Sequence, residues 1–279
     1  MAGKICVVTG ANAGIGLETA RGLARLGAEV FVVCRDTGRG ETALRDIRGT
    51  IPGANVHLRT ADLSLMREVR TLGEDLRRDL PRLDVLVNNA GVILGRRRVT
   101  AEGLETTFAT NHLAPFLLTT LLLDRLRASA PSRVVTVSSA AHRTGRMYWG
   151  DLQLTRGYLG LRAYSQSKLA NILFTRALAR RLEGTGVTAN CLHPGFVATN
   201  LGLGTYVLFR IGMRLGGPLV RSAVKGAETS IHLAASPEVA EITGQYFADA
   251  RIAIPTKAAQ DRGSEERLWE ESARLTANA

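Results

Sequence analysis

Short apolar runs alternate with helical patterns along the chain, and this alternation restricts the fold more than any other feature of the sequence. Most of the runs are continuous stretches of valine, isoleucine and leucine rather than alternating polar and apolar residues. Continuous runs are typical of parallel strands whose sheet is covered by helices on both faces. The candidate strands are residues 5–9, 29–34, 55–60, 85–88, 133–138, 188–193 and 245–248. The candidate helices are residues 15–26, 38–49, 65–80, 101–128, 163–183 and 223–235.

Strands and helices that alternate in this way predict an α/β fold with a doubly wound parallel sheet. With 279 residues, of which 45% are hydrophobic, the chain is large enough to bury a full core. No linker, repeat or low-complexity segment interrupts the pattern, so residues 1–279 are predicted to form a single domain.

A glycine-rich turn connects the first candidate strand to the first candidate helix. Its sequence is Gly10-Ala11-Asn12-Ala13-Gly14-Ile15-Gly16. Glycines allow a tight turn and a close approach of the backbone to a pyrophosphate, whose charge is favoured at a helix N-terminus. The alternative is an ordinary turn, but the position between the first strand and a helix favours nucleotide binding.

Tyr164 and Lys168 are four residues apart in a helical pattern, which places their side chains on one face about one turn apart. A nearby ammonium group favours the ionised phenol, so the pKa of the tyrosine is expected to fall towards the range of an acid–base catalyst. Taken alone, the pair is more readily explained by chance on a solvated helix face. It gains meaning from the motifs that precede it.

Five motifs occur in the order found in the short-chain dehydrogenases/reductases, and together they cover nearly the whole chain. They are Thr9-Gly10-x-x-x-Gly14-x-Gly16, Asn88-Asn89-Ala90-Gly91, Ser138-Ser139, Tyr164-x-x-x-Lys168 and Pro194-Gly195. The chain therefore resembles this family. Within it, the chain looks like the retinol dehydrogenase and WW-domain oxidoreductase branch. The stretches that carry the second likeness are Val33-Cys34-Arg35-Asp36, Ser138 to His142, Ser167 to Asn171, His193-Pro194-Gly195 and Gly244-Gln245-Tyr246-Phe247.

The resemblance implies a Rossmann-type fold in three αβα layers, a nicotinamide cofactor and four catalytic residues. Tyr164 would exchange a proton with the substrate oxygen, and Lys168 would lower the pKa of Tyr164 and bind the nicotinamide ribose. Ser139 would hold the substrate oxygen, and Asn111 would anchor a water that links Lys168 to solvent. Ser139 and Tyr164 are 25 residues apart. Compact family members have a shorter gap, and the extra loop, residues 143–162, is expected to form one wall of the substrate pocket.

The end of the second strand bears on the choice between NAD and NADP. An acidic residue there holds the ribose 2′-hydroxyl of NAD, whereas an arginine accommodates the 2′-phosphate of NADP. By family spacing Cys34 occupies the acidic position and Arg35 follows it, with Arg39 nearby. Asp36 is interpreted as lying beyond the strand, facing away or capping the next helix. NADP(H) is therefore predicted in preference to NAD(H).

The resemblance also assigns the remaining cofactor contacts and a substrate lid. The lid spans residues 200–222 and is rich in apolar residues and glycine, which suits a lipophilic, retinoid-like or other apolar alcohol, aldehyde or ketone. A lid that only packs on the core or on a second subunit is the alternative. The predicted cofactor contacts are Gly10, Asn12, Gly14, Ile15, Gly16, Arg35, Asp62, Leu63, Asn89, Ala90, Gly91, Tyr164, Lys168, Pro194, Gly195, Val197 and Thr199.

Two other classes of function compete with an NADP-dependent oxidoreductase. One is a non-catalytic NADP-binding regulatory module, which loss of a catalytic residue would favour. All four are present in this sequence. The other is an isomerase or dehydratase of the extended family, whose longer C-terminal substrate domain would not fit within 279 residues.

Charge and cysteine content bear on partners and location. The net charge is +11, but the arginines are spread along the chain, so a basic solvated surface is favoured and no nucleic-acid partner is expected. The three cysteines lack metal-ligand spacing, so no metal site is predicted and a cytoplasmic location is expected. A strand that begins at residue 5 predicts no signal peptide or membrane anchor. Weak contact of the basic, apolar lid with a membrane surface is a further hypothesis. Pairing of family members through helices such as that of Tyr164 suggests a homodimer or homotetramer.

Overall fold

The computed structural model describes residues 1–195, 221–277 and 279. Eight strands in this part of the chain form one sheet, in the order β3-β2-β1-β4-β5-β6-β7-β8. The strands are β1 (Ile5–Thr9), β2 (Glu29–Cys34), β3 (Val56–Thr60), β4 (Val85–Asn88), β5 (Ser132–Val137), β6 (Val187–His193), β7 (Tyr246–Ala248) and β8 (Arg251–Ile252). Strands β1 to β7 pair in parallel, and β8 pairs antiparallel with β7.

Helices flank the sheet in the order expected for a doubly wound fold. They are α1 (Gly14–Arg25), α2 (Thr37–Thr50), α3 (Met66–Asp79), α4 (Thr106–Phe108), α5 (Ala114–Ala128), α6 (Gly160–Arg181), α7 (Ala223–Ala235) and α8 (Arg262–Ala277). A π-helical turn, Ala109–Leu113, joins α4 to α5. Short 3₁₀ helices span Ala140–Thr144, Pro237–Val239 and Lys257–Gln260.

The continuous apolar strands are explained by burial on both faces of the sheet. In β1, Val7 packs into one apolar cluster with residues of α3, α5 and α6. Its neighbours Cys6 and Val8 point to the other face and pack with residues of α1 and α2. Because successive side chains of a strand point to opposite faces, both must be apolar. The expected three-layer Rossmann-type α/β fold is confirmed.

Most of the predicted elements agree with the structure to within a few residues, and the exceptions have local causes. The helix predicted over residues 101–128 begins at Thr106, where Glu105 caps it through bonds of 2.9 and 2.7 Å to the backbone N–H groups of Thr107 and Phe108. Strand β8 and helix α8 were not predicted. Within residues 1–195 and 221–277, and at residue 279, no helix is both long enough and apolar enough to cross a membrane.

Candidate active site

Most of the predicted site residues that the structure describes lie at the carboxyl ends of the parallel strands. The strand order reverses between β1 and β4, where connections leave towards opposite edges of the sheet. A crevice outside the strand ends forms at such a switch point, and ligands of open α/β sheets bind there. The glycine turn follows β1, residues 89–91 follow β4, Ser139 follows β5, and Pro194 follows β6.

The glycines of the first turn are required by close backbone packing. Gly10 has a φ of +66°, and a Cβ atom there would lie 2.8 Å from the Cα atom of Ala90. A Cβ atom on Gly16 would lie 2.4 Å from both Asn89 Nδ2 and the carbonyl oxygen of Gly10. Gly14 also has a positive φ, of +58°. Side chains at these positions would separate the turn from the loop after β4.

The N-terminus of α1 leaves its first amide groups open to an anion. Its N-cap residue, Ala13, has no side chain that could accept a hydrogen bond, and the first turn contains no acidic residue. Asn12 lies in the turn just before the helix, and Ile15 lies in its first turn. Uncapped N–H groups and the helix dipole both favour a phosphate at this position.

The Thr9 hydroxyl joins the turn after β1 to the loop after β4. It accepts hydrogen bonds from the backbone N–H groups of Asn89 at 3.0 Å and Ala90 at 3.1 Å. The Asn89 side-chain amide donates to the Thr9 carbonyl oxygen at 2.7 Å. Thr9 was not among the predicted site residues. Its position at the carboxyl end of the first strand and its place at the start of the glycine motif were the available signals.

Asn111 lies in the π-helical turn between α4 and α5, where the normal helical hydrogen bonding is interrupted. Its side-chain oxygen accepts from Val92 N at 2.7 Å. Its amide donates to the Val92 carbonyl oxygen and the Ser167 hydroxyl, each at 2.9 Å. These bonds fix Asn111 between the loop after β4 and helix α6.

Lys168 is buried beside the loop that contains Gly91. Its Nζ atom donates to the carbonyl oxygen of Val137 at 2.9 Å, and the residue is 3% exposed. Burial lowers the pKa of the ammonium group to about 8. A Cβ atom on Gly91 would lie 3.4 Å from Nζ, so the absence of a side chain leaves space next to the ammonium.

Tyr164 lies beside both Lys168 and Ser139. The Lys168 Nζ atom is 5.6 Å from the centre of the Tyr164 ring. Burial raises the pKa of the phenol, and a hydrogen bond with the Ser139 side chain lowers it by a smaller amount. The expected depression by Lys168 is therefore corrected: burial is the largest influence, and it favours the neutral phenol.

The two serines after β5 have different roles in the structure. Ser138 is 2% exposed, and its hydroxyl donates to the Lys168 carbonyl oxygen at 2.7 Å, which ties β5 to α6. The Ser139 hydroxyl accepts from Ala141 N at 3.1 Å and faces Tyr164. Of the two serines, Ser139 thus lies beside Tyr164, whereas Ser138 has a structural role between β5 and α6.

Of the residues that follow β2, Asp36 is arranged as the sequence predicts. Asp36 caps α2 through a 2.8 Å bond from Arg39 N to its Oδ1 atom, so its carboxylate is engaged. The Arg35 side chain is 76% exposed, and its Nη1 atom lies 3.5 Å from Asp62 Oδ2. The Leu63 side chain is buried in the core, so a cofactor could reach that residue only through its backbone.

An ion pair that the sequence did not indicate lies beside the segment after β6. Gly195 has a φ of +81°, and a Cβ atom there would lie 2.9 Å from Cδ of Arg221. Arg221 in turn binds the carboxylate of Asp249, with one contact of 3.1 Å. Pro194 and Gly195 are described, whereas the predicted contacts Val197 and Thr199 lie outside the described residues. The predicted lid, residues 200–222, lies there too except for its last two residues.

These residues fit a nicotinamide dinucleotide. The glycine turn and the uncapped N-terminus of α1 suit the pyrophosphate, and the space beside Gly91 lies next to Lys168, Asn111 and Tyr164. Serine, tyrosine and lysine side chains beside such a cofactor are those of an oxidoreductase acting on an alcohol or carbonyl group.

Comparison with known proteins agrees with this class. The model of the short chain dehydrogenase family matches residues 4–204, and the chain belongs to that family. Retinol dehydrogenase 12 of Mus musculus is 45% identical over 98% of this chain and 86% of its own length. Retinol dehydrogenase 13 of Homo sapiens is 44% identical over 98% of this chain and 84% of its own length.

Solved structures show the same fold. A protein from Mycobacterium Paratuberculosis has a TM-score of 0.81 and 36% identity, over 99% of this chain and 94% of its own. An actinorhodin polyketide ketoreductase solved with NADPH has a TM-score of 0.70 and 28% identity, over 88% of this chain and 97% of its own. The retinol dehydrogenase relatives confirm the resemblance to that branch. The family membership makes the protein an oxidoreductase with a nicotinamide cofactor.

Proposed function

We propose that this protein transfers a hydride between NADP(H) and a lipophilic alcohol or its aldehyde or ketone. The observation that carries this proposal is the convergence of Ser139, Tyr164 and Lys168 beside Gly91, at the switch point of the sheet. Hydride transfer requires the nicotinamide beside the substrate carbon and a proton donor beside the substrate oxygen. Tyr164 is the proton donor, and the space next to Gly91 can hold the nicotinamide.

The bound nicotinamide would supply the hydride for reduction or accept it for oxidation. The Ser139 hydroxyl holds the substrate oxygen by a hydrogen bond, and the Tyr164 phenol gives that oxygen a proton during reduction or takes one during oxidation. With a pKa of about 8, Lys168 remains mostly protonated at neutral pH. Its ammonium group can therefore stabilise the phenolate when Tyr164 has given up its proton.

Arg35 supports the choice of NADP over NAD. Its exposed guanidinium follows the strand end, while Asp36, the nearest acidic residue in the sequence, is engaged as a helix cap. A guanidinium binds a phosphate by charge-assisted, often bidentate hydrogen bonds. Relatives solved with NADPH or NADP have the same fold.

Substitution of Arg35 tests the cofactor preference. In Arg35→Ala, we expect the Kd for NADPH to rise about 10- to 100-fold, since a charge-assisted hydrogen bond is lost, and the Kd for NADH to change by less than about twofold. Titration of the protein with each reduced cofactor, followed by fluorescence, measures both constants. Arg45→Ala, at an exposed arginine of α2, controls for loss of general positive charge. An equal loss for NADPH and NADH would contradict the proposal.

The lipophilic substrate is supported by the names of the relatives, which are retinol dehydrogenases, and by the apolar composition of residues 200–220. A panel of retinal, long-chain aldehydes, aryl ketones and short polar carbonyls, assayed by NADPH consumption, tests it. We expect kcat/KM to rise with the apolar area of the substrate.

The same panel separates the competing functions. Cofactor binding without turnover of any carbonyl or alcohol would favour the regulatory module. Conversion of a substrate without net consumption of cofactor would favour an isomerase or dehydratase.

We further propose a cytoplasmic location, a weak affinity of the basic lid for anionic membranes and association into a homodimer or homotetramer. The three cysteines are buried and free, which suits a reducing compartment. Flotation with anionic liposomes at low and moderate salt tests the membrane contact, and absence of binding at both would exclude it.

A further inference from the structure

Three sequence segments that carry the likeness to the retinol dehydrogenase branch meet behind Ser139. They are residues 138–142, 193–195 and 244–247. Each contributes one aromatic side chain to a single cluster of rings: His142, His193 and Tyr246. The catalytic roles assigned above use none of these three side chains.

His142 holds the backbone of Ser139. Its Nδ1 atom lies 2.8 Å from the Ser139 carbonyl oxygen, and its backbone N–H donates to the same oxygen at 3.1 Å. Because a carbonyl oxygen accepts hydrogen bonds, Nδ1 must carry the proton of the imidazole. His142 is fully buried, so two donors on one carbonyl fix the turn from which the Ser139 hydroxyl projects.

Tyr246 bridges the two histidines. Its hydroxyl oxygen lies 2.7 Å from Nδ1 of His193 and 3.5 Å from Nδ1 of His142. Its ring stacks on His193 at 5.5 Å between centres and meets His142 edge-on at 5.0 Å. Burial lowers the pKa of both imidazoles and raises that of the phenol, which keeps all three groups neutral. The 2.7 Å hydrogen bond between the Tyr246 hydroxyl and His193 Nδ1 therefore joins two neutral groups.

His193 directly precedes Pro194 and Gly195, the segment predicted to contact the nicotinamide. A second contact near this segment comes from Asp249, which follows β7 and forms an ion pair with Arg221, beside Gly195. Tyr246 of β7 and Asp249, which directly follows β7, thus place two side-chain contacts next to this segment.

We propose that His142, Tyr246 and His193 form one positioning unit, which sets the distance between the Ser139 hydroxyl and the Pro194–Gly195 segment. The proposal rests on the function proposed above, because the distance matters only if substrate oxygen and nicotinamide are held at these two places. A small displacement of either would separate the reacting atoms, and hydride transfer is sensitive to such a change. These residues act through Ser139 and the backbone and do not touch the reacting atoms.

Removal of the bridging hydroxyl is the first test. In Tyr246→Phe, we expect kcat to fall about 5- to 15-fold, the equivalent of one lost hydrogen bond, with KM changed less than about twofold. Hydrogen–deuterium exchange of the peptides covering residues 139–145 and 191–195 should accelerate in the same variant. Thr276→Val removes a buried hydroxyl that bonds carbonyls of its own helix, and it should change neither readout.

Conservative substitutions distinguish positioning from simple loss of packing. The side chain of asparagine places an oxygen and an amide nitrogen close to the position of Nδ1 in histidine. His193→Asn can accept from Tyr246, and His142→Asn can donate to Ser139, so both should retain kcat to within about threefold of the wild type. His193→Leu and His142→Leu keep the volume but not the hydrogen bond, and their kcat should fall as in Tyr246→Phe.

The outcomes separate this proposal from the proposed function. If the wild type turns over no carbonyl but Tyr246→Phe still accelerates exchange in both peptides, the function is wrong and the linkage between the segments stands. If the wild type is active and Tyr246→Phe and His193→Leu leave kcat and exchange unchanged, the positioning unit is overturned. Equal losses in the leucine and asparagine variants would also overturn it.

Discussion

The two halves of the sheet build their parts of the site from different materials. On the side of β1 and α1, here called the backbone half, the glycine turn brings backbone atoms into the site, and Cβ atoms at Gly10 and Gly16 would clash with neighbouring atoms. On the side of β5, β6 and α6, here called the side-chain half, the site is formed by polar side chains, many of them buried. The first half therefore depends on residues that have no Cβ atom, and the second on hydrogen bonds between segments far apart in the sequence.

Helix α6 shows the second strategy most clearly. In the middle of this helix, polar side chains are buried that would ordinarily face water: Ser165, Gln166, Ser167, Lys168 and Asn171. Buried polar groups need partners, and strand ends and loops supply several of them. For example, the Gln166 amide donates to the Leu152 carbonyl oxygen at 2.9 Å. These bonds hold the helix in one rotation about its axis, which directs Tyr164 and Lys168 at the crevice.

Helix α8 packs against the opposite side of α6. Trp269 stacks on Phe174 of α6, with 6.0 Å between ring centres, and contacts Phe116 of α5 edge-on. A homodimer through α6 would therefore have to use the part of that helix that α8 leaves free. The helix that orients Tyr164 and Lys168 thus has packing partners on more than one side.

The largest expected effect separates proton transfer from cofactor binding. In Tyr164→Phe, we expect kcat to fall by about 10²- to 10⁴-fold, because the proton donor is lost. The Kd for NADPH should change by less than about threefold, because the backbone cradle on the other half of the sheet is intact. Steady-state kinetics and a fluorescence titration measure the two quantities. Parallel loss of turnover and cofactor affinity would mean that Tyr164 serves chiefly to bind the cofactor.

The next largest effect is expected when a glycine of the backbone half is given a Cβ atom. In Gly16→Ala, the new Cβ atom would lie 2.4 Å from Asn89 Nδ2 and from the Gly10 carbonyl oxygen, so the turn must shift. We expect the Kd for the cofactor to rise about 10- to 100-fold, since overpacking typically costs about 1–3 kcal/mol.

Gly49→Ala is the matched control. Gly49 lies in α2, and a Cβ atom there would meet nothing within 4 Å. Alanine is the better helix former, so this variant should be more stable by about 0.5–1 kcal/mol and bind the cofactor as the wild type does. If both glycine variants bound the cofactor normally, the backbone half would not depend on missing Cβ atoms.

The sequence predicted the backbone half more completely than the side-chain half. A glycine turn between a strand and a helix is a local pattern, and its chemistry is readable from seven consecutive residues. The bounds of β1 and β2 were predicted without error, because each is a continuous apolar run that ends at a turn. Asp36 was predicted as a possible helix cap for the same local reason, and the structure confirms it.

What the sequence could not predict depends on contacts across long stretches of chain. The bond between Tyr246 and His193 spans 53 residues, and that between Ser138 and Lys168 spans 30. Helix α8 was missed because charged and polar residues dominate it, and its burial rests on ion pairs and Trp269. The direction of the Tyr164 pKa shift was also missed, since burial can be judged only once the fold is known.

The smallest expected effect on cofactor binding belongs to two neighbouring carboxylates that attach α8 to α6. Glu265 is 1% exposed and binds Arg180 and, at 2.8 Å, Arg176, whereas the side chain of Glu266 is 41% exposed. Glu265→Ala should lower the free energy of unfolding by about 1.5–3 kcal/mol, since two half-buried guanidinium groups lose their shared partner and water only partly replaces it. Glu266→Ala should cost about 0.2–1 kcal/mol, as is usual for an exposed ion pair. Urea unfolding of the two variants measures the difference, and the Kd for the cofactor should remain that of the wild type in both. Equal destabilisation would show that α8 is held on α6 by apolar contacts such as those of Trp269. The buried ion pairs of Glu265 would then contribute no more than an exposed pair.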